Sequence, residues 1–164
     1  MHHYTRHPVT TQVAAAFAQL AWGRDTEGLM HSFDFRSVYE GVKRVTKEAD
    51  FVLFNGTEHS KEAALLIVEA KKTGRPLTED VAGQARAYAM WLTTPYYMVT
   101  NGDEIHVYLF RGAVSPDVML MNFKRGEMRQ NWSMLFETLN KAAVVKRKKE
   151  LNEMLTPDAR SSGG

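Results

Sequence analysis

The hydrophobic and polar positions of the chain fall into alternating stretches of helical and strand periodicity. From Val9 to Trp22, the apolar residues Val13, Ala16, Phe17, Leu20 and Ala21 recur at helical spacing and predict a first helix. Gly23 to His31 reads as a loop, and "SVYEGVKRVT", from Ser37 to Thr46, as an irregular first strand. "DFVLFNG" follows, a short β-rich run that ends on the turn signal Asn55-Gly56. "ALLIVEAK" is apolar with little interruption, as expected of a central strand covered on both faces. "TGRPLTED" carries Gly, Pro and a candidate N-cap, Thr78, and predicts a helix from Thr78 to about Leu92 with Val81, Ala85, Tyr88 and Leu92 on one face. "PYYMVTNGDEIHVYLFRG" reads as two strands about a tight Asn101-Gly102 turn, and "DVMLMNF" as a further short strand. From Asn131 to about Leu155 the pattern is helical again, with "KRKKE" as its basic, exposed segment. The order helix, strands, helix, hairpin, strand, helix predicts an α/β domain with a mixed sheet and helices on its faces.

Composition narrows this picture. The chain has 164 residues, 44% of them hydrophobic, which suits one globular domain. Residues 1–155 are expected to form it, with a small polar tail over 156–164 ending "RSSGG". The net charge of +2 and a pI near 8.8 are compatible with nucleic acid but too mild to argue for it alone. The absence of cysteine excludes disulfides, thiolate metal sites and cysteine nucleophiles. No run reaches the roughly 18 apolar residues of a membrane span, and the first residues lack the apolar core of a signal peptide. These absences predict a cytoplasmic protein with no membrane partner.

The candidate chemistry lies at the end of the "LLIVEAK" strand. Residues two apart on a strand project to the same face, so Glu69 and Lys71 emerge together, their Cα atoms roughly 6–7 Å apart. If "DFVLF" and "LLIVE" form an antiparallel hairpin, Phe54 lies near Leu65 and Asp50 near Glu69. Two carboxylates and a lysine then converge at one end of the sheet. Mg²⁺ favours one or two carboxylates together with phosphate and water, and the lysine can hold a phosphate or orient a water. The alternative is a structural ion pair, the commoner origin of a bare Glu-x-Lys. In the next helix Gln84 and Tyr88 stand at i and i+4 and share a face, which the neighbouring Val81 and Ala85 turn toward the sheet. An amide and a phenol there can contact DNA or brace the lysine; the alternative is a buried tyrosine with a satisfied hydroxyl beside an ordinary polar residue.

Asp50, then Glu69-Ala70-Lys71, then Gln84-x-x-x-Tyr88 resembles the PD-(D/E)xK nuclease superfamily. "ADFVLFNG", "LLIVEAKKTGRPLTEDVAGQARAYA" and "PYYMVTNGDEIHVYLFRG" are similar to the N-terminal nuclease domain of type I restriction enzyme R (motor) subunits. The resemblance runs from about Val9 to about Ala143. It implies a restriction-endonuclease-like fold, a central mixed sheet flanked by helices, and Mg²⁺-dependent (or Mn²⁺-dependent) hydrolysis of DNA phosphodiesters. It also implies metal ligation by Asp50, Glu69 and the Ala70 carbonyl, catalysis by Lys71, and DNA positioning by Gln84 and Tyr88. Lys72 and Arg75, which follow the strand, are candidates for DNA backbone contacts. The implied partners are DNA and the helicase, methyltransferase and specificity subunits of a restriction complex.

The chain departs from the pattern in two places. "VTTQVAAAFAQLAW" carries no acid where related nucleases often have one, with Gln12 its nearest polar residue and Glu27 and Glu40 lying beyond it; and Ala49 replaces the proline before Asp50. No GxxxxGK[ST] phosphate loop occurs, so the chain is expected to be an excised nuclease domain or a stand-alone relative. The missing acid motivates a second reading, a weak or inactive DNA-binding or assembly module. His2, His3 and His7 read as exposed terminal residues, Lys146–Lys149 as a solvated face or a phosphate contact, and Met119, Met121 and Met134 as core positions.

Overall fold

The computed structural model describes residues 29–34, 48–56 and 58–156. Six strands follow in chain order: β1 (Leu29–Asp34), β2 (Glu48–Phe54), β3 (Ala64–Ala70), β4 (Tyr96–Thr100), β5 (Glu104–Leu109) and β6 (Val118–Lys124). Helix α1 (Glu79–Leu92) joins β3 to β4, while α2 (Met128–Leu139) and α3 (Lys141–Leu155) follow β6. The strands lie side by side in the order in which they occur. β3 and β4 are parallel and every other neighbouring pair is antiparallel. A parallel pair needs a long crossover, and α1 supplies it.

The architecture is α/β with a mixed sheet flanked by helices, compatible with a restriction-endonuclease-like fold. All seven residues of β3 are buried, as its near-continuous apolar run predicts for a strand covered on both faces. On one face Val52, Ile67, Tyr97 and Val99 pack against Val81, Ala85, Tyr88, Ala89 and Leu92 of α1. On the other, Phe51, Leu66, Val68, Met98, Val107 and Phe123 pack against Leu135 and Leu139 of α2 and Val144 of α3. Leu151 of α3 joins the α1 layer, so α3 crosses from one layer toward the other.

Several boundaries differ from the sequence expectation. β1 begins at Leu29, inside the stretch read as a loop. A register shift between Leu53 and Phe54 pairs Phe54 with Ala64 rather than with Leu65. The C-terminal helical pattern is two helices. Asn140 adopts ψ 151, which no helix interior accommodates, and its side-chain oxygen accepts from the N–H of Ala143 at 3.0 Å to start α3. Apolar periodicity continues through such a corner because both helices face the same core. Thr78 stands at the N-cap with extended backbone, but its hydroxyl makes no capping bond; its carbonyl accepts from the N–H groups of Val81 and Ala82. Met121 is buried as expected, whereas Met119 and Met134 are exposed. "KRKKE" is not uniformly exposed, for Lys148 is buried. The first helix, the strand read at Ser37 to Thr46, the terminal histidines, Gln12, Glu27, Glu40 and the tail from residue 157 lie outside the described residues.

Candidate functional site

β2 and β3 pair with Phe51 opposite Val68 and Val52 opposite Ile67. Asp50 of β2 and Glu69 of β3 lie on these paired strands, each one residue beyond the Phe51–Val68 pair. The carboxylate of Glu69 is withdrawn from solvent, the residue being only 2% exposed. Lys71 leaves β3 on the same face and brings its Nζ to 3.8 Å from Glu69 Oε2. Its backbone N–H donates to the Thr100 carbonyl at 2.7 Å, which carries the β3–β4 pairing one residue beyond the strand and fixes where the lysine emerges.

Helix α1 returns over this face. Gln84 lies one turn before Tyr88, and its Oε1 accepts a hydrogen bond from Lys71 Nζ at 3.4 Å. Of the two roles the sequence allowed for Gln84, bracing the lysine is visible in the contacts. Tyr88 is buried among Val81, Ala85, Ala89 and Leu92 in the apolar layer. The structure thus brings Glu69, Lys71 and Gln84 together, and places Ala70, 4% exposed, between the two charged residues.

Lys72 and Arg75 are exposed on the turn that follows. The Arg75 N–H donates to the Lys72 carbonyl at 3.0 Å, and Gly74 takes φ +88°, a value the turn requires and other residues seldom adopt. Asn101 ties this turn down. Its Nδ2 donates to the Arg75 carbonyl at 2.8 Å, while its Oδ1 accepts from the N–H groups of Asp103 and Glu104. The β4–β5 connection is therefore a three-residue turn organised by the Asn101 side chain, which is 5% exposed.

Two features were not reached from the sequence. His106 lies in the cross-strand row of Glu69, with Val99 between them, and its Nε2 is 3.5 Å from Glu104 Oε2. The hairpin register counted from the Asn101-Gly102 turn would have found it. At the opposite end of the sheet, the buried Lys148 Nζ donates to the carbonyls of Lys61 (2.9 Å), Leu92 (3.1 Å) and Thr93 (2.7 Å), and to Thr93 Oγ1 (3.1 Å). Burial pushes its pKa down to about 8, with Lys61 adding to the effect and Glu62 opposing it. It closes the C-terminus of α1, where carbonyls lack helical partners and the helix dipole favours a cation.

Among the described residues, no group of three or more His, Asp or Glu side chains is placed to hold a metal ion, and no helix is long and apolar enough to cross a membrane. The family comparison covers residues 37–117, just under half of the chain and all of the residues brought together here. This stretch matches the type I restriction enzyme R protein N terminus. The match links the chain to the R subunits of type I restriction enzymes. It takes in Asp50, the Glu69-Ala70-Lys71 strand end, Gln84, Tyr88 and the β4–β5 hairpin, and stops before β6. No curated protein and no solved structure matches the chain.

Proposed function

We propose that this chain is a divalent-metal-dependent DNA endonuclease domain of the PD-(D/E)xK type, working within a type I restriction complex. The observation that carries the reading is the buried Glu69 carboxylate at the end of β3, with Lys71 Nζ 3.8 Å away and Gln84 holding that lysine at 3.4 Å. A structural ion pair needs only the first two groups; the third keeps the ammonium at the mouth of the strand end.

The donor set suits a hard cation. Asp50 and Glu69 supply carboxylate oxygens and Ala70 a carbonyl oxygen, the ligand chemistry that Mg²⁺ and Mn²⁺ favour. The bound metal would lower the pKa of a water and stabilise negative charge on a phosphoryl oxygen. Glu69, held on a central strand, fixes the position of that charge. Lys71 places a cation beside the scissile phosphate and orients the attacking water. Gln84 Oε1 accepts a hydrogen bond from the ammonium and limits where the lysine can swing. Tyr88 anchors the Gln84 face of α1 in the apolar layer. Lys72 and Arg75 hold the DNA backbone beside the strand end. Phosphodiester hydrolysis then proceeds by attack of water on phosphorus, with no covalent enzyme intermediate, and electrostatic stabilisation supplies most of the rate. DNA is the substrate, and the helicase, methyltransferase and specificity functions come from elsewhere in the complex.

The test is a plasmid assay with purified chain in Mg²⁺ and in Mn²⁺. The parent protein is expected to nick or linearise DNA. Asp50→Ala, Glu69→Ala and Lys71→Ala are each expected to lose at least about 100-fold in rate, as when a transition-state charge contact is removed, with unchanged circular dichroism. Undiminished cleavage by the three variants would overturn the assignment. Tight DNA binding by the parent without cleavage would favour the binding-module reading.

A further inference from the structure

Lys71 stands in a row of residues that crosses the sheet. Ala70 pairs with Thr100, Thr100 with Ile105, and Ile105 with Phe123. One residue further out, Lys71 is followed by Asn101, Glu104 and Lys124, with Glu104 directly opposite Lys124. Paired residues share a face, so Lys124 emerges on the face that carries Lys71. The chain then turns, and the Arg125 N–H donates to the Asp103 carbonyl at 2.7 Å, fastening the β6–α2 corner to the β4–β5 turn. Arg129 follows one helical turn later, in the first turn of α2. Lys124, Arg125 and Arg129 are all exposed.

We infer that this corner is a second DNA-backbone contact, continuous with Lys72 and Arg75, and that duplex DNA crosses the end of the sheet from β3 to β6. The inference takes its ligand from the nuclease reading above. Three strand spacings separate β3 from β6, roughly 14 Å, which corresponds to about four nucleotides of axial rise along one DNA strand. The corner carries three acids beside its three cations, and two of the acids are already engaged. Glu104 faces His106, and Glu127 accepts from the Lys124 N–H at 2.9 Å; Asp103 is the third. The other exposed lysines considered for phosphate contact, Lys146 and Lys149, flank Lys148 at the opposite end of the sheet and cannot share this path.

The experiment measures equilibrium binding of a short fluorescent duplex by the full chain in EDTA over a range of salt, with Mg²⁺-dependent cleavage read separately. The variant Lys124→Ala/Arg125→Ala/Arg129→Ala is expected to bind about tenfold or more weakly, with a slope of log K against log salt shallower by about 2–3, since each lost phosphate contact removes about 0.9. Arg125→Glu alone, with native circular dichroism, is expected to weaken binding as well, whereas Lys146→Ala/Lys149→Ala should leave affinity and slope unchanged. Parental affinity and slope in the triple variant overturn the inference while leaving the nuclease reading intact if the parent cuts. Corner-dependent binding by a parent that never cuts supports the inference and refutes the nuclease reading. A parent that binds no duplex at any salt overturns the inference.

Discussion

Burial separates two lysines of this chain, and reverses what the sequence suggests for the second. Lys71 is partly exposed and meets a carboxylate and an amide; Lys148 is buried and meets carbonyl oxygens at the end of α1. Removing the second leaves the Lys61, Leu92 and Thr93 carbonyls short of a donor. Lys148→Met is therefore expected to destabilise the fold by about 1–3 kcal/mol, read from chemical denaturation. The loss should leave DNA binding unchanged, since the lysine is far from Lys71. The pH dependence follows from the direction of its shift. The folded-state pKa is about 8 against 10.5 for a free lysine, so between those values the unfolded chain binds more protons than the folded one. The contribution of Lys148 is flat below about pH 8 and becomes more favourable as pH rises toward 10.5. The stability difference between parent and Lys148→Met should widen over that window. Nothing in "KRKKE" distinguishes the third of its charged residues from its neighbours. The difference arises because α3 turns that one position toward the end of α1, a tertiary fact that local composition does not carry.

At the scale of elements, the strand–helix–strand unit from β3 to β4 was legible because its signals agree. A continuous apolar run, a Gly/Pro turn and an amphipathic helix all point to a parallel pair with a crossover. The candidate site was legible for the same reason: Glu69 and Gln84 sit on regular elements whose periodicities fix their faces, and Lys71 directly follows β3. The α2–α3 corner was hidden, because one asparagine makes it and the apolar spacing continues across it. Asn140 ends one helix and begins the next, its Nδ2 donating to the Phe136 carbonyl at 2.7 Å and its Oδ1 accepting from Ala143. Asn140→Ala is expected to cost about 1–2 kcal/mol. A lower denaturant midpoint with an unchanged m-value would show that the corner, and not the compactness of the fold, has been weakened. The bulge at Leu53/Phe54 was equally invisible, since either register leaves Phe54 buried.

For the molecule as a whole, Glu69, Lys71 and Gln84, the groups of the proposed site, gather at one end of the sheet and the structural lysine stands at the other. A cation that binds the folded site and not the unfolded chain must stabilise the entire domain. Mg²⁺ or Mn²⁺ is thus expected to raise the melting temperature of the parent protein, by the equivalent of about 2.7 kcal/mol at a hundredfold excess over Kd. The same titration on Glu69→Ala should show no shift. An equal shift in both proteins would place the cation elsewhere. The Asn101 side chain has one more consequence. By holding the Arg75 carbonyl while it folds the turn that carries Asp103, whose carbonyl holds Arg125, it makes the two cationic stretches parts of one stiff ruler. A stiff ruler surrenders little conformational entropy when a ligand is laid along it. Asn101→Ala should accordingly leave every cation in place, yet shift the calorimetric signature of DNA binding toward a larger entropic penalty.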